Sequence, residues 1–155
     1  MSENLQQRWR RRMLRYTLRF FALESPSAER LLFGTAMHES AGLQYLHQIN
    51  GPALGVYQME PATLADLWEN FLAYHEDWAE ILVRVTPPAS APEDPLCLLD
   101  MTYATMAARF QYMRFPEPLP NVDDLEGLAR YWKQYWTHLG KGTEQQFIDA
   151  VKRYE

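Results

Sequence analysis

The chain has 155 residues, 47% of them hydrophobic and 14% aromatic, a globular composition with enough chain for one core and too little for two. A net charge of −5 and a single cysteine exclude a generally basic nucleic-acid-binding domain, an intrachain disulfide and a CxxC redox pair. Histidines at positions 38, 47, 75 and 138 are too scattered for a compact metal signature, so neither a metal nor another cofactor is expected.

Charge is distributed unevenly. Residues 1–30 hold seven arginines against Glu3, Glu24 and Glu29, a local +4, while the remainder carries −9. Leu5, Trp9, Met13, Tyr16, Phe20 and Leu23 recur at steps of four and three, which predicts a basic amphipathic helix over about 4–23. Its apolar stripe is expected to dock on the core, leaving arginines free for an acidic protein partner or an anionic surface. The arginines continue where the apolar core of a signal peptide would lie, and no window approaches 18 apolar residues. Neither a signal peptide nor a membrane span is predicted.

Ser25-Pro26 supplies an N-cap and a first-turn proline for a second helix, which runs to His38-Glu39-Ser40 and ends near Gly42. Glu39 thus sits at the carboxyl end of a largely apolar helix. The dipole there disfavours a carboxylate, and desolvation would raise its pKa. Residues 43–58, with the Gly51-Pro52 turn, read as a small irregular or hairpin lobe. Thr63 with Asp66 resembles a capping box, opening a helix whose apolar face continues through Leu64, Leu67, Trp68, Phe71, Leu72 and His75. A shorter helix follows over Trp78–Val83, and the proline-rich stretch 86–95 is a loop.

Asp94-Pro95 is expected to open a long helix carrying Leu98, Thr102, Thr105, Arg109 and Met113, with Cys97 buried rather than nucleophilic and Asp100 as surface charge. After Pro116, Pro118 and Pro120, Asp123 with Glu126 marks another start, and Trp132 and Trp136 belong to that helix's apolar side. Thr143 with Gln146 gives a last capping box. The expected fold is one mostly-α domain over 1–155, with six or seven helices and little strand.

The informative segment is His38-Glu39-Ser40 followed by Gly55, Gln58, Pro61 and Thr63. Together these residues resemble the lysozyme-like lytic transglycosylase family, in a divergent, phage-type branch. Glu39-Ser40 matches its catalytic Glu-Ser pair, and Gly55, Gln58, Pro61 and Thr63 match its Gly-x-x-Gln-x-x-Pro-x-Thr segment in order and spacing. The likeness is firm over about 25 residues. Gly42-Leu43 stands where the family has an aromatic residue, with Tyr45 further on, and the Ala-Tyr-Asn-Ala-Gly segment is absent. Leu128-Ala129-Arg130-Tyr131-Trp132 is its nearest local echo.

The resemblance implies a lysozyme-like fold and cleavage of peptidoglycan glycan strands. It implies Glu39 as catalytic acid and base, with Ser40, Tyr45, Gly55, Tyr57, Gln58 and Tyr131 as substrate-binding candidates. Chemically, glycosidic cleavage needs a proton for the leaving oxygen, hence a carboxylic acid of raised pKa. Ordinary hydrolysis adds a second carboxylate. Glu60, just before Pro61, reads as a shoulder of the groove, and Asp66 as a cap. One acid suffices if the muramic C6 hydroxyl attacks C1 and yields a 1,6-anhydro end, as the family does.

Phage particles are where such branches are expected. The protein would be made in the host cytoplasm, then carried in the virion or delivered to the cell wall. The other reading is a virion structural or assembly protein that keeps the shell with weak or no catalysis. No sequence-specific nucleic-acid partner is expected.

Overall fold

A computed structural model describes residues 2–137 and 140–155; His138, one of the scattered histidines, lies outside them. The chain is mostly α-helical. In order come α1 (Leu5–Trp9), a π-helical turn (Arg10–Leu14), α2 (Arg15–Phe20), α3 (Pro26–Glu39), α4 (Pro61–Asn70), α5 (Glu76–Arg84), α6 (Met101–Met113), α7 (Leu125–Tyr135) and α8 (Glu144–Tyr154). Two 3₁₀ turns, Leu72–Tyr74 and Pro95–Leu99, precede α5 and α6. With α1, the π turn and α2 counted as one continuous helix, seven helices and no β-sheet are present among the described residues.

Several starts follow directly from side-chain chemistry. Ser25 accepts from the Ala28 amide with Pro26 in the first turn, and Thr143 forms a reciprocal capping box with Gln146. Three other starts differ from expectation. Asp124, not Asp123, caps α7. Pro95 opens only a 3₁₀ turn, and Asp100 then caps α6 by accepting from Tyr103, so it is a structural cap rather than loose surface charge. Helix α4 begins at Pro61, which puts Thr63 inside the first turn, and its N-cap residue Glu60 makes no side-chain cap. Asp66 accepts instead from Asn70 and pairs with Arg114.

The amino-terminal helix departs furthest from its predicted stripe. Trp9, Leu14 and Leu18 are buried, whereas Leu5, Met13, Tyr16 and Phe20 are exposed. The π turn is the reason. An i→i+5 turn takes one more residue than an α-turn, so the apolar face is re-phased beyond it. Its arginines are also less free than the sequence implies: Arg11 pairs with Glu3, Arg19 with Glu24, Arg15 with Glu29, and Arg10 with both Glu29 and Glu155.

Two groups of buried side chains make the interior. Trp9, Leu14, Leu32, Phe33, Met37, Tyr112, Leu128, Trp132 and Phe147 form one, where α3, α7 and α8 meet. Leu64, Leu67, Leu82, Leu98, Met106 and Phe110 form the other, beneath α4 and α5. Helix α6 joins them, giving Ala104, Ala108 and Tyr112 to the first and Tyr103, Met106, Ala107 and Phe110 to the second. Its all-round apolarity is what permits this central place.

Candidate functional site

Residues 41–60, between α3 and α4, form an irregular lobe pinned by isolated antiparallel bridges, His47 to Leu54 and Leu54 to Met59. The lobe holds four of the six non-glycine residues with positive φ among those described: Ala41, Leu43, Asn50 and Gln58. Backbone of this kind costs energy and is kept where the surroundings over-determine it. Three interactions do so. The Gly55 amide donates to the Leu46 carbonyl at 2.7 Å, the Gln48 amide to Ala53 at 2.9 Å, and the Gln58 side-chain amide to Gly55 at 2.8 Å.

Between this lobe and the helices lies a cavity of about 820 Å³. That size is within the range of small-molecule sites. Glu39 lines it from the end of α3, Tyr45, His47, Gln58 and Glu60 from the lobe, and Gln111 and Trp136 from the far helices.

Glu39 is the last residue of α3, and two contacts of Ser40 fix its position. The Ser40 hydroxyl donates to the Ala36 carbonyl at 2.6 Å and accepts from the Leu43 amide at 2.8 Å, which ends the helix and starts the lobe in one step. Burial pushes the Glu39 carboxyl up to about 7. The Trp132 indole pulls the other way, but its nitrogen has no hydrogen-bond partner among the described residues and the desolvation prevails. His38, beside it, packs edge-on against the Trp132 ring at 4.8 Å, and burial lowers its pKa. Thr35, one turn back, shares a 2.7 Å hydrogen bond with Tyr112, tying α3 to α6 under the cavity.

The candidate residues separate into two groups. Glu39, Tyr45 and Gln58 line the cavity. Ser40, Gly55, Tyr57 and Tyr131 are buried in its supporting structure. Tyr57 shares a 3.0 Å hydrogen bond with Thr105, Tyr131 donates to the Glu117 carbonyl at 3.0 Å, and Gly55 lies against the Leu98 carbonyl. None of these three is among the residues lining the cavity; the contacts the structure gives them are with the protein's own interior.

His47, Gln111 and Trp136 are cavity residues that the sequence did not single out for binding. Trp136 carried a signal, its i,i+4 spacing from Trp132, but periodicity alone cannot say that one ring is core and the other rim. Among the described residues no cluster of histidine, cysteine, aspartate and glutamate could hold a metal ion.

Chemically, the cavity pairs one acid whose pKa is raised to near neutrality with amide, hydroxyl and aromatic groups suited to a polar ligand. Comparison with family models, with curated proteins and with solved structures finds no match for this chain.

Proposed function

We propose that the protein is a lysozyme-like peptidoglycan lytic transglycosylase in which Glu39 is the sole general acid and base. The observation that carries this reading is Glu39 itself: a carboxyl raised to about 7 by burial, set in the wall of a cavity of about 820 Å³. A protonated carboxyl at that place can hand its proton to the bridging oxygen of a glycan strand. The carboxylate then takes the proton of the muramic C6 hydroxyl as that oxygen attacks C1, leaving a 1,6-anhydro end. Gln58 and Tyr45 would contact the sugars, Tyr45 by offering an exposed ring face.

Asp66 is occupied by Arg114 and Asn70, so Glu60 is the other carboxylate lining the cavity. The product distinguishes the two routes. Digestion of purified peptidoglycan, with the glycan ends identified by mass, is expected to give anhydro ends, lost in Glu39→Gln and kept in Glu60→Gln. Reducing ends that depend on Glu60 would mean hydrolysis with two carboxylates.

A second reading, a virion structural or assembly protein with weak or no catalysis, is favoured by one observation. Tyr131, the nearest echo of the family's missing tyrosine segment, is spent on the Glu117 carbonyl. Absence of any product from the unaltered protein would select it. In either reading the surface for a virion partner or an anionic layer is the amino-terminal helix. Tyr16 and Phe20 lie exposed there, with rings 6.2 Å apart beside Arg12 and Arg19. No described helix is long and apolar enough to cross a membrane.

A further inference from the structure

Gln111 stands on α6 in the far wall of the cavity, three residues before Arg114. Side chains at that spacing meet on one face of a helix. The Arg114 guanidinium donates to the Gln111 side-chain oxygen at 3.3 Å and, from the same nitrogen, to the Asp66 carboxylate at 2.6 Å. Asp66 is itself held by Asn70, whose amide donates to its other oxygen at 2.6 Å. Arg114 also lies over the Phe71 ring, with its Cζ 6.0 Å from the centroid. The guanidinium is therefore anchored from α4 and from the residue that ends it.

This chain of contacts settles which way the Gln111 amide faces. The two ends of an amide are told apart by their partners. Arginine has donors and no acceptor, so the end of Gln111 that meets Arg114 is its carbonyl oxygen. The NH₂ end is the one left for a ligand. A sugar hydroxyl can turn to donate or accept, and a fixed donor does not select for it. A fixed donor does select a ligand oxygen that can only accept, because the wrong polarity there leaves a group unpaired.

We propose that Gln111 is a specificity-determining residue: the Asp66–Arg114 pair fixes its amide as a donor toward the cavity, which selects a carbonyl or carboxylate oxygen on the bound glycan. The inference rests on the cavity being the glycan site and not on the chemistry of Glu39. Two groups on a peptidoglycan strand carry such an oxygen, the acetamido carbonyl and the lactyl carboxylate. Asp66 and Arg114 are positioning residues, acting through Gln111.

The test measures affinity by titration calorimetry in Glu39→Gln, which cleaves nothing. The probes are a β-1,4-linked hexamer of N-acetylglucosamine, the matching hexamer of glucose, and glycan strands stripped of peptide. Gln111→Glu replaces the donor end by a second acceptor and keeps Arg114 as a charge-assisted partner, so the denaturation midpoint should not fall. Affinity for the acetylated hexamer should drop about tenfold or more while that for the glucose hexamer holds. A drop seen only with the stripped strands assigns the oxygen to the lactyl group. Equal affinity of Gln111→Glu and its parent for all the probes overturns the proposal, as does failure of every probe to bind the parent.

Arg114→Met frees the amide to turn. The ratio of affinities for acetylated and plain hexamers should then shrink about threefold. An equal loss for both hexamers would make the arginine merely structural and overturn the polarity argument. Binding that depends on Gln111, without digestion by the unaltered protein, would uphold the inference and sink the catalytic reading. Digestion with a KM indifferent to Gln111→Glu would do the reverse.

Discussion

Gly55 and Leu98 meet so closely that a β-carbon on the glycine would lie 2.0 Å from the Leu98 carbonyl oxygen. Gly55 also has φ of +80°. The contact clamps the cavity lobe to the 3₁₀ turn that precedes α6, and a side chain is barred twice over, by space and by backbone conformation. Gly55→Ala is therefore expected to cost more than about 2 kcal/mol, the upper end of the left-handed penalty alone. Denaturant midpoints of the two proteins check it; a loss below about 0.5 kcal/mol would show that the lobe and the turn can part without consequence.

The Glu39 carboxyl links folding to pH. Its folded pKa of about 7 stands above the ordinary 4.5. Below about pH 4.5 the group is neutral in both states and costs nothing. Between 4.5 and 7 the unfolded chain ionises while the folded one stays protonated, so stability falls as pH rises and levels off above 7. The full effect is on the order of 3 kcal/mol. Glu39→Gln removes it, so the variant should gain on the unaltered protein steadily from about pH 4 to about pH 8. Chemical denaturation at both ends of that range measures the gain, and a constant difference would mean that the carboxyl is not desolvated.

Tyr45 and Tyr57 should behave oppositely although both were candidates for sugar binding. Tyr57 is buried with its hydroxyl on Thr105, so Tyr57→Phe leaves a buried hydroxyl short of a partner and should cost about 1–2 kcal/mol with cleavage unchanged. Tyr45 is 44% exposed on the cavity wall, so Tyr45→Ala should leave stability within about 0.5 kcal/mol and raise KM several-fold. Paired melting and cleavage assays on the two variants separate the roles.

Glu29 is 6% exposed and holds Arg15 and Arg10 together, while Arg15 itself is more open to solvent. Removing the shared carboxylate strands Arg15 and leaves Arg10 with Glu155 alone; removing Arg15 leaves Glu29 with Arg10. Glu29→Ala is expected to lose about 3 kcal/mol and Arg15→Ala clearly less, read from denaturation of each variant and the double variant.

Features set within three or four residues are legible in the sequence. Ser25-Pro26, the Thr143–Gln146 box and the Gly51-Pro52 turn each act locally, and each stands where its chemistry puts it. Starts with two competing signals were misplaced. Thr63 and Asp66 have capping-box spacing, but Pro61 begins the helix two residues earlier and leaves Thr63 in its first turn. Asp94 and Asp100 both accept from nearby amides, and the helix proper belongs to the second.

The site was legible only in part, for a related reason. Glu39 could be placed at a helix end from α3 alone. The roles of Tyr57 and Tyr131 depended on Thr105 and the Glu117 carbonyl, distant in the chain or beyond a proline-rich connection. The juxtaposition of His38, Trp132 and Gly142 joins three segments separated by many residues, and no local spacing encodes it.

The wide turn at Arg10–Leu14 sets which oily row of the first helix is wet. Its register works like a gear with one extra tooth: wind the same residues as an ordinary α-turn, and everything downstream rotates by about 100° relative to Trp9. Leu14 and Leu18 would swing away from the interior as Met13, Tyr16 and Phe20 turned toward it. One widened turn thus separates a helix that hides its aromatic rings from one that displays them.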